Sequence, residues 1–270
     1  LPNVPLRHGG DPFADVLAEA RALRRVGIGL VIVDATPPER SAAGGCAVMA
    51  HRGGALVGPA NSLATIRRSI DLGAHAVEVD IHELADSSLV LFHDRHVPTA
   101  AGPVPVADLD LPDLTHLAGA VDTVGDLLDC AAGAQVGLYL DVKDVSGAAL
   151  LRLIDAVAAA GLTNRAVVGS FDRAVVEHVV ADGRLEASVL YHDPTSDPLE
   201  LAATLGCRIV HPCFDFLPHM VARFARDWMG PIHDAGLAAV GWNSNDPRLL
   251  AQMRAAGFDV LCTDDPRLAL

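Results

Sequence analysis

Four short strings hold the residues best suited to chemistry: His51-Arg52-Gly53, Glu78-Val79-Asp80, His93-Asp94 and Asp141-Val142-Lys143. Each closes a short apolar run, namely Cys46–Ala50, His75–Val77, Leu89–Phe92 and Gly137–Leu140. Glu78 and Asp80 stand two apart, so on an extended strand both side chains point to one face. Two neighbouring carboxylates repel and resist joint ionisation unless a cation neutralises them. Asp141, ending another run, supplies a third oxygen donor. Three carboxylates without a nearby cysteine favour a hard ion over zinc, so the reading is one divalent metal ion, Mg²⁺ or Ca²⁺, on Glu78, Asp80 and Asp141. His51 and His93 are the catalytic candidates, because imidazole carries a proton in either direction near neutral pH. Alone, an acidic pair of this kind serves more often as a cap or an ion-pair partner. Its place between two histidine strings, with a D-x-K following, singles it out for metal-assisted chemistry on a phosphate ester.

Such groups need strand ends to stand on. The chain has 270 residues, 51% of them hydrophobic, and its apolar runs alternate with helical stretches as βα units do. Nine runs read as strands: Ala47–Ala50, His75–Asp80, Leu89–Phe92, Gly137–Asp141, Ala166–Ser170, Ala187–Tyr191, Arg208–His211, Ala238–Trp242 and Val260–Thr263. The segment Ile81–Ser88 is too short for the crossover that parallel strands require. Its Asp86-Ser87-Ser88 is turn chemistry, so Leu89–Phe92 is expected to fold back as a hairpin. Eight parallel strands remain, which gives a (β/α)8 TIM barrel over residues 47–270 with its chemistry at the C-terminal strand ends. Asn61 is expected to cap a helix over Ser62–Leu72, and Gly147–Ala159 and Pro247–Ala256 read as further helices. Ahead of the barrel, residues 1–46 read as an extra αβ element: a helix at Phe13–Arg25, a strand at Gly27–Val33 and a linker at Thr36–Gly45.

A net charge of −14 argues against a nucleic-acid or anionic-membrane partner. It also means that an anionic substrate needs local cations. The five cysteines (Cys46, Cys130, Cys207, Cys213, Cys262) are scattered and unpaired, so they read as reduced thiols of a cytoplasmic protein. Gly27–Val33 is too short to span a bilayer, and no signal peptide is visible at Leu1–Asp11. Oligomeric state is not written in the sequence.

The order and spacing of the four strings resemble the glycerophosphodiester phosphodiesterase (GDPD) family, from about Ala47 to Pro266. The resemblance implies a TIM barrel of the PLC-like phosphodiesterase type. It also implies that His51 and His93 act as acid and base across a phosphodiester, while Glu78, Asp80 and Asp141 hold the metal. Arg52 and Lys143 match the family's phosphate-binding cations. Three later strings are similar as well: Gly169-Ser170-Phe171, Gly241-Trp242-Asn243-Ser244-Asn245 and Thr263-Asp264-Asp265-Pro266. Phe171 and Trp242 are read there as walls for an apolar part of the substrate. The chain departs from the family near the site. Pro59-Ala60-Asn61-Ser62 lacks a glutamate, Leu84-Ala85-Asp86-Ser87 lacks a lysine, Pro98-Thr99-Ala100-Ala101 replaces R-T-T, and Asp141 is one methylene shorter than the family's glutamate. The insertion after His93-Asp94 is short, roughly Ala101 to Val121.

The expected activity is metal-dependent hydrolysis of a small glycerophosphodiester-like substrate to an alcohol and a phosphomonoester. One histidine deprotonates the nucleophile and the other, His93 by preference, protonates the leaving alkoxide. Within the same fold the rivals are a lyase that stops at a cyclic phosphate and an enzyme acting on a specialised phosphorylated metabolite. From another class comes a silent barrel that only binds a ligand, which five intact site residues argue against.

Overall fold

Eight parallel strands close on themselves in the computed structural model, which describes residues 46–213 and 218–270. They are β1 (Ala47–Ala50), β2 (Ala76–Glu83), β6 (Gly137–Val142), β7 (Ala166–Ser170), β8 (Glu186–Tyr191), β9 (Ile209–Pro212), β10 (Ala238–Gly241) and β11 (Val260–Thr263). Neighbours pair in chain order, and β1 joins both β11 and β2 to shut the barrel. The helix and strand expected at Phe13–Arg25 and Gly27–Val33, with the linker after them, lie outside the described residues.

Side chains alternate across this wall as strand geometry requires. On β2, Val77, Val79 and Ile81 face outward into the apolar layer beneath the helices, whereas Ala76 faces the barrel interior. Glu78 and Asp80 share Ala76's face. Met49, Tyr139, Val167, Leu190, Ile209, Val240, Val260 and Cys262 fill the rest of the interior, so the barrel is a packed core with its polar residues towards one end.

The surplus run behaves as expected. β3 (Leu89–Leu91) lies antiparallel on β2, with Ile81 opposite Leu91 and Glu83 opposite Leu89. The reason is a difference in length. β1 is four residues long and pairs only with Ala76 and Val77, so the upper half of the eight-residue β2 is left open on that side. β3 covers it.

Helices α1 (Leu63–Asp71), α4 (Gly147–Ala159) and α9 (Pro247–Ala256) occupy the expected places. The cap of α1 differs. Ser62, not Asn61, accepts from Thr65 N, at 3.3 Å, and Asn61 turns into the left-handed region (φ 56) to reach the barrel. The insertion also carries more structure than its sequence suggests. A small hairpin, β4 (His96–Val97) and β5 (Val104–Pro105), and helix α2 (Leu111–Ala118) enclose their own core of Leu84, Val90, Val97, Val106, Leu109 and Leu114. Asp86 ties it to the barrel by accepting from Leu111 N at 3.1 Å. All five cysteines are free, and no helix among the described residues is long and apolar enough to cross a membrane.

Candidate active site

Register brings the acidic groups together. Asp80 on β2 lies opposite Asp141 on β6, and Glu78 one turn of the pleat below points the same way. Glu78, Asp80 and Asp141 are buried, and one ligand oxygen of each lies within 4.8 Å of the others. Each is held by a different device. Asn61 grips Asp80 twice, donating from Nδ2 to Oδ2 at 2.8 Å and accepting from Asp80 N at 3.1 Å. Arg52 N donates to Glu78 Oε2 at 2.6 Å. To aim that N–H, Arg52 adopts φ 51 and ψ 38, a left-handed conformation that costs a non-glycine residue about 1–3 kcal/mol. Gly54 behind it (φ 110) tolerates no side chain, since a Cβ would sit 2.2 Å from Ser69 Oγ.

Positive charge is scarce here. Lys143 Nζ lies 2.9 Å from Asp80 Oδ1 and pairs with Asp141 Oδ2 as well, while Arg52 Nε stands 3.7 Å from Asp80 Oδ2. Burial, then the charges of Asp80 and Asp141, push the Glu78 carboxyl well above its usual range. Burial raises Asp141 to about 6 in spite of Lys143. Asp80 goes the other way, because Lys143 and Asn61 outweigh its burial. Glu78 Oε1 and Asp141 Oδ1 are buried with no hydrogen-bond partner among the described residues. Two unmet oxygens in an over-acidic cluster are the donor set a hard divalent cation fits. Cys213 and Cys262 also reach this layer, contrary to the expected absence of thiols. Burial holds both well above the ordinary thiol range, so they are protonated and poor ligands.

The histidines sit in unlike surroundings. His51 follows β1 and is buried, its ring edge-on to Trp242 at a centroid distance of 5.3 Å. His93 follows β3 with its side chain 40% exposed; Nδ1 is 2.7 Å from Asp94 Oδ1, and its carbonyl accepts from His82 Nε2 at 3.3 Å. Phe171 stacks on His192, 4.2 Å between centroids, with Lys143 Nζ 5.8 Å from the Phe171 centroid. The sequence-derived residues thus gather at the C-terminal strand ends, Lys143 bridging carboxylates to Phe171 and Trp242 bracing His51.

Several polar residues of this region carried no assigned role in the sequence. Asp264 Oδ1 is 2.6 Å from His51 Nδ1, and Asn243 and Asn245 surround that carboxylate. His211 lies fully buried between Tyr139 and Trp242, with Nδ1 2.9 Å from the Tyr139 hydroxyl. His192 and His211 both stand at the ends of apolar runs, the same signal that marks His51. Asp264 and the two asparagines lay within strings already matched to the family.

Comparison with known proteins bears on the fold and on the family of the chain. A relative from Caldanaerobacter subterraneus subsp. tengcongensis, named glycerophosphodiester phosphodiesterase, is 24% identical over 243 residues, spanning 81% of this chain and 94% of the relative. Among solved structures, a glycerophosphodiester phosphodiesterase from Parabacteroides distasonis superposes with a TM-score of 0.71 at 22% identity, over 83% of this chain and 94% of that one. An Oleispira antarctica phosphodiesterase, solved with the product sn-glycerol-3-phosphate, gives a TM-score of 0.67 at 21% identity, with 83% and 94% covered. At these identities the structures establish the shared barrel. The model of the glycerophosphoryl diester phosphodiesterase family matches residues 51–268, so the chain belongs to that family of phosphoric diester hydrolases.

Proposed function

We propose that the chain hydrolyses a small glycerophosphodiester-like substrate to an alcohol and a phosphomonoester, with His51 and His93 as base and acid. The observation that carries this reading is the buried carboxylate trio with two unmet oxygens, beside Lys143, at the strand ends of a barrel of this family. Glu78, Asp80 and Asp141 would hold one Mg²⁺ or Ca²⁺, which when bound supplies Lewis-acid polarisation of a phosphoryl oxygen. Arg52 and Lys143 attract and orient the phosphate and offset charge gathering on its oxygens. His51 removes a proton from the attacking hydroxyl, whose oxygen bonds to phosphorus as the bond to the alcohol oxygen breaks. His93, at the exposed rim, gives that leaving oxygen its proton. In a glycerol diester the attacking hydroxyl is the substrate's own neighbour. Water then attacks the phosphorus of the cyclic phosphate and gives a proton to His93. The ring P–O bond breaks, and His51 returns its proton to the freed hydroxyl oxygen, which restores both histidines. Phe171 and Trp242 flank the organic part. The monoester expected here is of the kind bound in the Oleispira antarctica structure.

Phosphorus NMR of a glycerophosphodiester incubated with the protein tests the reading. The expected outcome is a growing phosphomonoester signal that excess chelator abolishes and added Mg²⁺ or Ca²⁺ restores. A cyclic phosphate as the final product would make the enzyme a lyase. No conversion of any phosphodiester would overturn the proposal.

A further inference from the structure

The strings Trp242-Asn243-Ser244-Asn245 and Thr263-Asp264-Asp265-Pro266 take no proton in the scheme above, yet they enclose one ring nitrogen of His51. We infer that Asp264 is a positioning residue that fixes the His51 proton on Nδ1 and leaves the Nε2 lone pair as the general base. The inference rests on the acid–base reading of the site and assigns one histidine its part in it.

Geometry decides the tautomer. Asp264 Oδ1 is 2.6 Å from His51 Nδ1, and Asn243 Nδ2 is 3.0 Å from the same nitrogen. Nδ1 therefore either donates to the carboxylate or accepts from the amide. If it were unprotonated, its lone pair would face a carboxylate oxygen at 2.6 Å, a contact between two acceptors. Asp264 is ionised, because hydrogen bonds from His51 and Asn245 hold it below the usual carboxylate range against its burial. The proton belongs on Nδ1, and the amide of Asn243 turns to the two Asp264 oxygens, 3.4 Å from each.

The carboxylate is itself clamped. Asn245 Nδ2 donates to Asp264 Oδ2 at 2.6 Å, and Asn245 Oδ1 accepts from Asp264 N at 2.9 Å and Thr263 Oγ1 at 3.1 Å. The Asp264 carbonyl accepts from Leu56 N at 3.0 Å, tying the end of β11 to the loop that follows His51. Trp242 packs edge-on against the ring, 5.3 Å between centroids. By contrast, the partner of His93 is its own sequence neighbour, Asp94, whose side chain is 69% exposed. A rigid ring with a fixed lone pair suits proton removal, and an exposed one suits exchange with solvent. When Nε2 takes the proton of the attacking hydroxyl, His51 becomes an imidazolium and Asp264 remains a carboxylate. No proton passes to Asp264. The proton released to the alcohol comes from His93.

Asp264→Asn is the informative change. Asp264 now accepts from both His51 and Asn245, and an amide offers one acceptor where two are needed. A carboxylate-to-amide change in the Asp–His pair of a serine protease lowers kcat about 10⁴-fold through the wrong tautomer. Here kcat is expected to fall about 10²–10⁴-fold on alkyl and nitrophenyl diesters alike, with KM within a few-fold. Proton NMR supplies the readout that a merely structural role would not move. The wild type should show a far-downfield imidazole N–H resonance, assigned by its loss in His51→Gln, and D264N should lack it. Asn245→Ala keeps the charge but frees the carboxylate, and kcat should drop on the order of 10–100-fold. Wild-type kcat in both D264N and N245A, or a persisting downfield resonance in folded D264N, would overturn the inference. An inactive H51Q beside a fully active D264N would defeat this inference alone. A fully active H51Q would defeat the acid–base reading beneath it.

Discussion

His51 and His93 differ in what surrounds them, and a leaving group can tell them apart. A nitrophenolate departs without a proton, whereas a simple alkoxide does not. Replacing either histidine by alanine should lower turnover of an alkyl diester about 10²–10⁴-fold. On a nitrophenyl diester His93→Ala should recover most of its rate while His51→Ala stays slow, and the double variant should lose little more than the worse single one. Equal small effects on both substrates would mean structural roles for both rings. The metal-cage candidates were readable in the sequence because strand alternation alone puts Glu78 and Asp80 on one face, and Arg52 and Lys143 stood in the same short strings. Asp264 carried no such signal. Its effect on His51 depends on closure of the barrel, which brings together residues 213 positions apart.

At the scale of elements, the chemistry rests on β2 and on what is laid against its upper half. β3 pairs there, Phe92 N donates to Asp80 O at 3.0 Å, and His93 follows at once. The insertion behind it is fastened by a core centred on fully buried Leu114. Leu114→Ala should cost about 2–5 kcal/mol locally. The insertion should then open to protease between residues 95 and 120, with metal affinity kept and turnover reduced, because His93 loses its support and the carboxylates do not. Peptide mapping of the cleavage sites, with calorimetric metal binding on the intact variant, checks this; uniform loss of the whole fold would contradict it. The sequence foretold the hairpin through the shortness of Ile81–Ser88. It did not foretell the insertion's core, whose apolar residues are too few and too spread to show a period. Asn61 was misjudged for a related reason. An asparagine before a helix is a good cap, but Ser62 serves equally well, which frees Asn61 to hold Asp80.

For the whole molecule, a closed barrel with a polar upper interior has a cost in acid. Burial, then the charges of His51 and Lys143, hold His211 down to about 3. Its folded value lies below the ordinary one near 6.5, so the unfolded chain takes up the proton first as pH falls. Stability from this group is complete above about pH 6.5 and is lost as pH drops towards 3, about 2–3 kcal/mol of it between pH 7 and 4.5. His211→Gln should flatten the curve of unfolding free energy against pH by that amount in urea titrations; parallel curves for the two proteins would contradict it. The net charge of −14 sharpens the need for local cations, and among the described residues Lys143 and Arg52 stand at the acidic cluster. On the proposed function this cluster binds one divalent ion, and hydrolysis depends on it. The most direct test titrates Mg²⁺ or Ca²⁺ into metal-free protein while following both binding and phosphodiester turnover. The expected outcome is no turnover in excess chelator, saturation at one ion per chain, and no ion binding by folded E78Q, D80N or D141N. Full turnover by the metal-free protein, or full ion binding by all three variants, would contradict it.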